Sequence, residues 1–179
     1  MAPSCCLMSR EETKKKQVIE AHEGRVTSVV YSSDGTTIVT GSEDTTIKLW
    51  DANTTAEKKV FAGHKRGIKD VTLSADGKTI AAVDGTATIY LWDVETSAQK
   101  RFRTGRASNV LSIAFSPDGK RLAAGDLEGA VYVLDAASGI SQRRFIGHEG
   151  EVTIVAFAAD GKVLANLNEG GVIFLWDVK

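Results

Sequence analysis

Apolar and polar positions alternate along the chain in short runs. Arg25-Val-Thr-Ser-Val-Val-Tyr31 is brief and rich in β-branched side chains. It stops at Ser32-Ser-Asp-Gly35, where a glycine supplies the positive φ of a tight turn. Thr37–Thr40 then reads as a second strand, Gly41–Asp44 as a second turn and Thr46–Trp50 as a third strand. After Asp51-Ala-Asn-Thr-Thr comes a fourth, Lys58–Phe61, whose basic residues suit a sheet edge. This spacing predicts a four-stranded antiparallel meander. Its first three strands carry apolar residues on both faces, so each sheet needs a neighbour on either side. Sheets stacked face to face around an axis meet that demand.

The unit then repeats. Asp34-Gly35, Asp76-Gly77, Asp118-Gly119 and Asp160-Gly161 each follow the last by 42 residues. Trp50, Trp92, Leu134 and Trp176 keep the same interval, as do His22, His64, Arg106 and His148. Four whole units occupy residues 12–179, and residues 1–11 read as a flexible leader. In this phase Lys15–Glu20 is a lone fourth strand, while the last unit stops after its third.

Openings Ala21-His22, Gly63-His64 and Gly147-His148 stand in phase with endings Leu49-Trp50-Asp51, Leu91-Trp92-Asp93 and Leu175-Trp176-Asp177. With the four Asp-Gly turns, this pattern resembles the WD-repeat β-propeller family over residues 12–179. The resemblance implies an all-β propeller whose blades are each tied by a buried hydrogen-bond set of His, Ser or Thr, Asp and Trp. The first repeat carries all four as His22, Thr40, Asp44 and Trp50. Matching positions elsewhere are His64 and Trp92 with Ala82 and Thr86, and His148 and Trp176 with Asn166 and Gly170. The third repeat has Arg106, Ala124, Glu128 and Leu134 there.

A ring of four such blades would turn by about 90° per blade, whereas rings of about seven or eight are usual for this architecture. The expected assembly is therefore an eight-bladed ring made by a homodimer, with two reciprocal strand exchanges that leave no free edge. The resemblance also marks a rim of the central channel as the contact surface. Matching positions are Arg25, Thr27, Glu43, Lys69, Asn109, Leu111, Leu127, Glu151 and Glu169, alongside Gly67, Gly85 and Thr153. Charge mixed with leucine there suits an acidic or amphipathic peptide.

Composition narrows the function without changing the fold. The chain is 179 residues long, 42% hydrophobic and 25% charged, with a net charge of −1. That profile belongs to a folded domain, and it gives no global reason to expect nucleic acid or a membrane surface as partner. Basic residues in every outer strand, such as Lys58-Lys59, Lys100-Arg101 and Arg143-Arg144, read as edge protection. Cys5 and Cys6 are adjacent and form neither a disulfide framework nor a zinc pattern. The three histidines recur at one repeat position and so read as architecture; no phosphate loop, metal spacing or nucleophile accompanies them. No cofactor or catalysis is expected. With no signal peptide or apolar run long enough for a membrane helix, the expected location is intracellular. The sequence thus points to a non-catalytic scaffold that docks proteins or peptides on its rim. The alternative is an oligomerisation module, or a natural or engineered propeller fragment, that self-assembles without a dedicated partner.

Overall fold

The structure, a computed structural model, describes residues 17–103 and 109–178. Cys5, Cys6, Lys14–Lys16 and Arg106 lie outside the described residues. The first sheet joins β1 (Val26–Tyr31), β2 (Thr37–Ser42), β3 (Ile47–Asp51) and β4 (Glu57–Phe61) in that order. The second joins β5 (Asp70–Leu73), β6 (Thr79–Val83), β7 (Thr88–Asp93) and β8 (Gln99–Arg103). The third joins β9 (Val110–Phe115), β10 (Arg121–Asp126), β11 (Ala130–Asp135) and β12 (Ser141–Ile146). The fourth holds three strands, β13 (Val152–Phe157), β14 (Val163–Asn168) and β15 (Ile173–Asp177). All pairings are antiparallel, as in an up-and-down meander.

The hairpin turns repeat because their chemistry is local. Ser32, Ser74 and Ser116 each donate a hydroxyl hydrogen bond of 2.6 Å to the following Asp34, Asp76 or Asp118. Gly35 then takes φ 69°, a conformation that costs a side-chain-bearing residue far more.

Three apolar layers lie between the four blades. Val39, Ile47, Leu49, Ile68 and Val71 fill the first, Val83, Ile89, Val110 and Ile113 the second, and Ala123, Val131, Val152 and Val155 the third. Each layer joins the second and third strands of one blade to the first strand of the next. Gly41 and Gly125 sit where side chains at or just before the next blade's first strand pack in. A Cβ built on Gly41 would stand 2.6 Å from a methyl of Ile68, and one on Gly125 would press closer still on a methyl of Val152. Val83 occupies the same strand position at the middle junction.

The end blades leave a face uncovered. Val29 is 63% exposed, while its counterparts Val71, Ile113 and Val155 are 3%, 3% and 5% exposed. At the other end Ile173 is 63% exposed, whereas its counterpart Ile47 is fully buried. Gln17–Glu20, expected as part of a lone fourth strand, forms no strand. Lacking a ladder partner, it lies instead beside Tyr31 and Ile38, where Gln17 Nε2 donates to the Asn53 carbonyl at 3.3 Å.

A polar chain crosses the blades along their first strands. Ser28 Oγ donates to Asp70 Oδ1 at 2.8 Å, and Ser112 Oγ and the Ile113 amide donate to Asp70 Oδ2 at 3.0 and 2.9 Å. The Val155 amide in turn donates to Ser112 Oγ at 3.2 Å. Burial raises the pKa of Asp70, and the four donors facing it, including the Val71 amide, oppose that shift. Ile154 stands at the equivalent fourth-blade position and ends the chain.

Candidate functional site

The first blade is tied by a continuous hydrogen-bond path. Asp44 is an acceptor, so His22 Nδ1, 2.8 Å from Asp44 Oδ2, carries the ring proton. His22 Nε2 then accepts from the Thr40 hydroxyl at 2.7 Å, and Thr40 Oγ1 accepts from Trp50 Nε1 at 2.9 Å. Burial pushes the Asp44 carboxyl up, but bonds from the Thr46 hydroxyl and amide and from His22 outweigh this and hold it at about 2. It stays an anion over the whole neutral range.

The other blades solve the same problem with different atoms. In the second, Trp92 Nε1 donates directly to His64 Nε2 at 3.3 Å, because Ala82 offers no hydroxyl. Tyr90 fills the space across from Ala82 and packs on the His64 ring at 4.1 Å. The missing acid is supplied two residues earlier than expected. Asp84, not Thr86, faces His64, its Oδ2 lying 3.9 Å from Nδ1. Asp84 Oδ1 accepts from the Thr86 hydroxyl and amide at 2.6 and 3.2 Å. Asp126 takes this place in the third blade, accepting the Glu128 and Ala130 amides. In the fourth, Asn168 bridges Glu149 and Val172, Trp176 donates to Asn166 Oδ1 at 2.8 Å, and His148 packs on Phe174 with neither ring nitrogen hydrogen-bonded among the described residues. Asp84, Asp126 and Asn168 follow one signal, a short polar side chain at one position per repeat, which in the first is Ser42, whose Oγ accepts from the Asp44 amide at 3.1 Å.

The loops before the first strands and the turns between the second and third strands meet at one end of the blades. There a depression of about 550 Å³ gathers Glu43, Lys69, Asn109, Leu111, Leu127 and Glu151. All six are expected rim positions, and they come from all four blades. Arg66 and Asp84, which the sequence pattern did not mark, join them. Leu111 and Leu127 are half-buried, Lys69 is exposed, and the Lys69 stem lies over Gly85. Arg25, Thr27 and Glu169 do not line the depression. Thr27 turns inward instead, its hydroxyl within 2.8 Å of the Ile68 carbonyl and 3.1 Å of the Gly41 carbonyl. The Arg25 carbonyl is held by the Glu43 amide and the Glu169 amide by the Glu151 carbonyl.

No group of three or more His, Cys, Asp or Glu side chains is placed to hold a metal among the described residues. Likewise, no described helix is long and apolar enough to cross a membrane.

Four meander sheets faced one on the next, each with its own polar tie and a shared mouth of mixed charge and leucine, define a β-propeller. The chain belongs to the WD domain, G-beta repeat family, whose pattern matches at residues 13–51, 56–93, 98–135 and 139–177. Propellers of this family commonly mediate protein interactions and are generally non-catalytic. No curated protein matches the chain in a sequence comparison.

Proposed function

We propose that this protein is a non-catalytic intracellular scaffold that docks an amphipathic peptide segment of a partner at the channel mouth. The observation that supports this most is the placing of Leu111 and Leu127 side by side with Lys69, Arg66, Glu43 and Glu151 in one depression. An apolar anchor buried among charges that set orientation is how small interaction sites gain both affinity and specificity. Immobilised wild-type protein should capture a partner that the double variant Lys69→Glu/Leu127→Asp loses, by about tenfold or more. Both proteins should melt alike. Equal capture by the two would place docking elsewhere.

A second reading, closure of the ring by a second copy, is supported by the uncovered end faces. Ile173 and Leu175 on the fourth blade repeat positions that blades one to three bury against a following first strand. Val26 and Val29 on the first blade repeat positions that blades two to four bury against the preceding sheet. A two-fold dimer would satisfy both faces twice. Lys15–Glu20 would then add the outer strand to the partner's β15, since Gln17 and Ile19 already lie on the side where that blade would stack. Light scattering should give a mass of about 38 kDa, twice the 19.1 kDa of the chain. Leu175→Asp should return it to the single-chain mass, because a carboxylate cannot be buried unpaired in that layer. A wild-type mass of 19.1 kDa at every concentration would exclude the dimer.

A further inference from the structure

The end of the blades opposite the channel mouth carries a second cleft, and the chain's own junctions show what chemistry it holds. One basic residue per outer strand sits in register with an inner apolar residue: Lys59 opposite Leu49, Lys100 opposite Leu91 and Arg143 opposite Val133. Lys59 Nζ crosses to the second blade and donates to the Val94 and Glu95 carbonyls, both at 2.7 Å. Between the third and fourth blades Arg121 donates to the Val178 and Gly161 carbonyls at 2.6 and 2.7 Å, and Arg143 reaches the Asp177 carbonyl at 3.5 Å.

The junction between the second and third blades has neither brace. Thr79 stands where Arg121 stands in the next blade, and among the described residues Lys100 donates no hydrogen bond to the facing turn. Ala136 and Ala137 replace the larger Val94 and Glu95, and among the described residues no group donates to their carbonyls. A cleft of about 790 Å³ results, with Leu91 and Phe115 among its lining. Asp76, Asp93 and Asp118 also line it. Each spends Oδ1 on its own turn, leaving Oδ2 without a hydrogen bond among the described residues. Those turn bonds also hold all three carboxyls below the usual range, so all three are anions at neutral pH.

We propose that this cleft is a second binding site and that it takes a lysine or arginine side chain from a peptide segment of a partner. The aliphatic stem lies over Leu91 and Phe115, and the cationic head reaches the Ala136 and Ala137 carbonyls, as Lys59 reaches Val94 and Glu95 one blade earlier. Three carboxylates against one lysine, Lys100, give the lining the complementary charge. Charge-assisted bonds of this kind are about twice as strong as neutral ones, so the head group decides the affinity. The site lies wholly within one chain and depends on neither the channel mouth nor ring closure.

Nuclear magnetic resonance titration of the full chain tests this with the blocked peptide acetyl-Ala-Lys-Leu-Ala-amide and its norleucine-for-lysine counterpart. The lysine peptide should give saturable shifts at Leu91, Ala136 and Ala137, with the norleucine peptide weaker by about tenfold. The variant Asp93→Asn/Asp118→Asn, which keeps the Oδ1 acceptors of both turns and removes two of the three lining charges, should keep the wild-type melting temperature and weaken those shifts by about tenfold. Channel-mouth variant Lys69→Glu/Leu127→Asp should retain them. Equal shifts from both peptides, shifts confined to Leu111 and Leu127, or no saturation by about 10 mM would each overturn the assignment.

Discussion

Replacing Thr40 with valine should destabilise the first blade by about 3 kcal/mol, a fall in melting temperature of roughly 10 °C. The two side chains have nearly the same volume, so the loss is not one of packing. Thr40 Oγ1 is the only atom that touches both His22 Nε2 and Trp50 Nε1 in this path. Valine strands an acceptor on one ring and a donor on the other, both inside the blade. Each costs about 1–3 kcal/mol when buried without a partner. Thr40→Ser keeps the hydroxyl and should recover most of the difference. Urea unfolding of the three proteins measures the effect; a valine variant as stable as the serine one would show that the path contributes nothing.

Acidification should produce the second large effect, through His64. Burial lowers its pKa to about 4, with Asp84 opposing only part of the shift. An unfolded histidine titrates near 6.5. The folded state therefore favours the neutral ring. That contribution to stability is complete above about pH 6.5 and is lost as pH falls toward 4, by a total on the order of 3 kcal/mol. Asp44 titrates near 2, below this window. Asp70, whose pKa is raised, acts in the opposite direction, gaining stability as pH falls, and is common to wild type and variant. Comparing wild type with His64→Gln between pH 7.5 and pH 4 isolates the histidine. The wild type should lose stability faster by about that amount, and parallel pH profiles would contradict the assignment.

Much of this architecture was legible because its chemistry is local and repeats in phase. The Asp-Gly turns involve neighbours in sequence, so reading four of them reads four hairpins. The family resemblance implies the set His22, Thr40, Asp44 and Trp50, and the residue types then order it, since a carboxylate only accepts and an indole only donates. Asp84 and Asp126 escaped that reading for a physical reason. Asp44 stands in the turn after its second strand and Asp84 directly at the strand's end, so the acid approaches the histidine from a different backbone position and from further away, 3.9 Å against 2.8 Å. The 42-residue spacing from Asp44 points instead to Thr86 and Glu128, two residues further along. A similar limit holds at the rim. The repeat marks equivalent positions in every blade, but the depression is centred on the second and third, and Arg25 and Thr27 belong to the first. Val29 shows the limit most plainly, since it matches Val71 in sequence and differs from it only in having no sheet in front of it.

The junctions at Gly41, Val83 and Gly125 also mean that the blades are not interchangeable parts. Gly41 leaves a socket that the Ile68 methyl enters, and Gly125 one that Val152 enters, while Val83 presents a knob to the third blade. A chain with its second and third blades exchanged would set Val83 against Val152, a side chain that in the native order enters a glycine socket, and there atoms would collide. Although every unit has the same length and the same turns, each carries an address for the neighbour it accepts. The order of the repeats is written in the alternation of one missing and one present side chain.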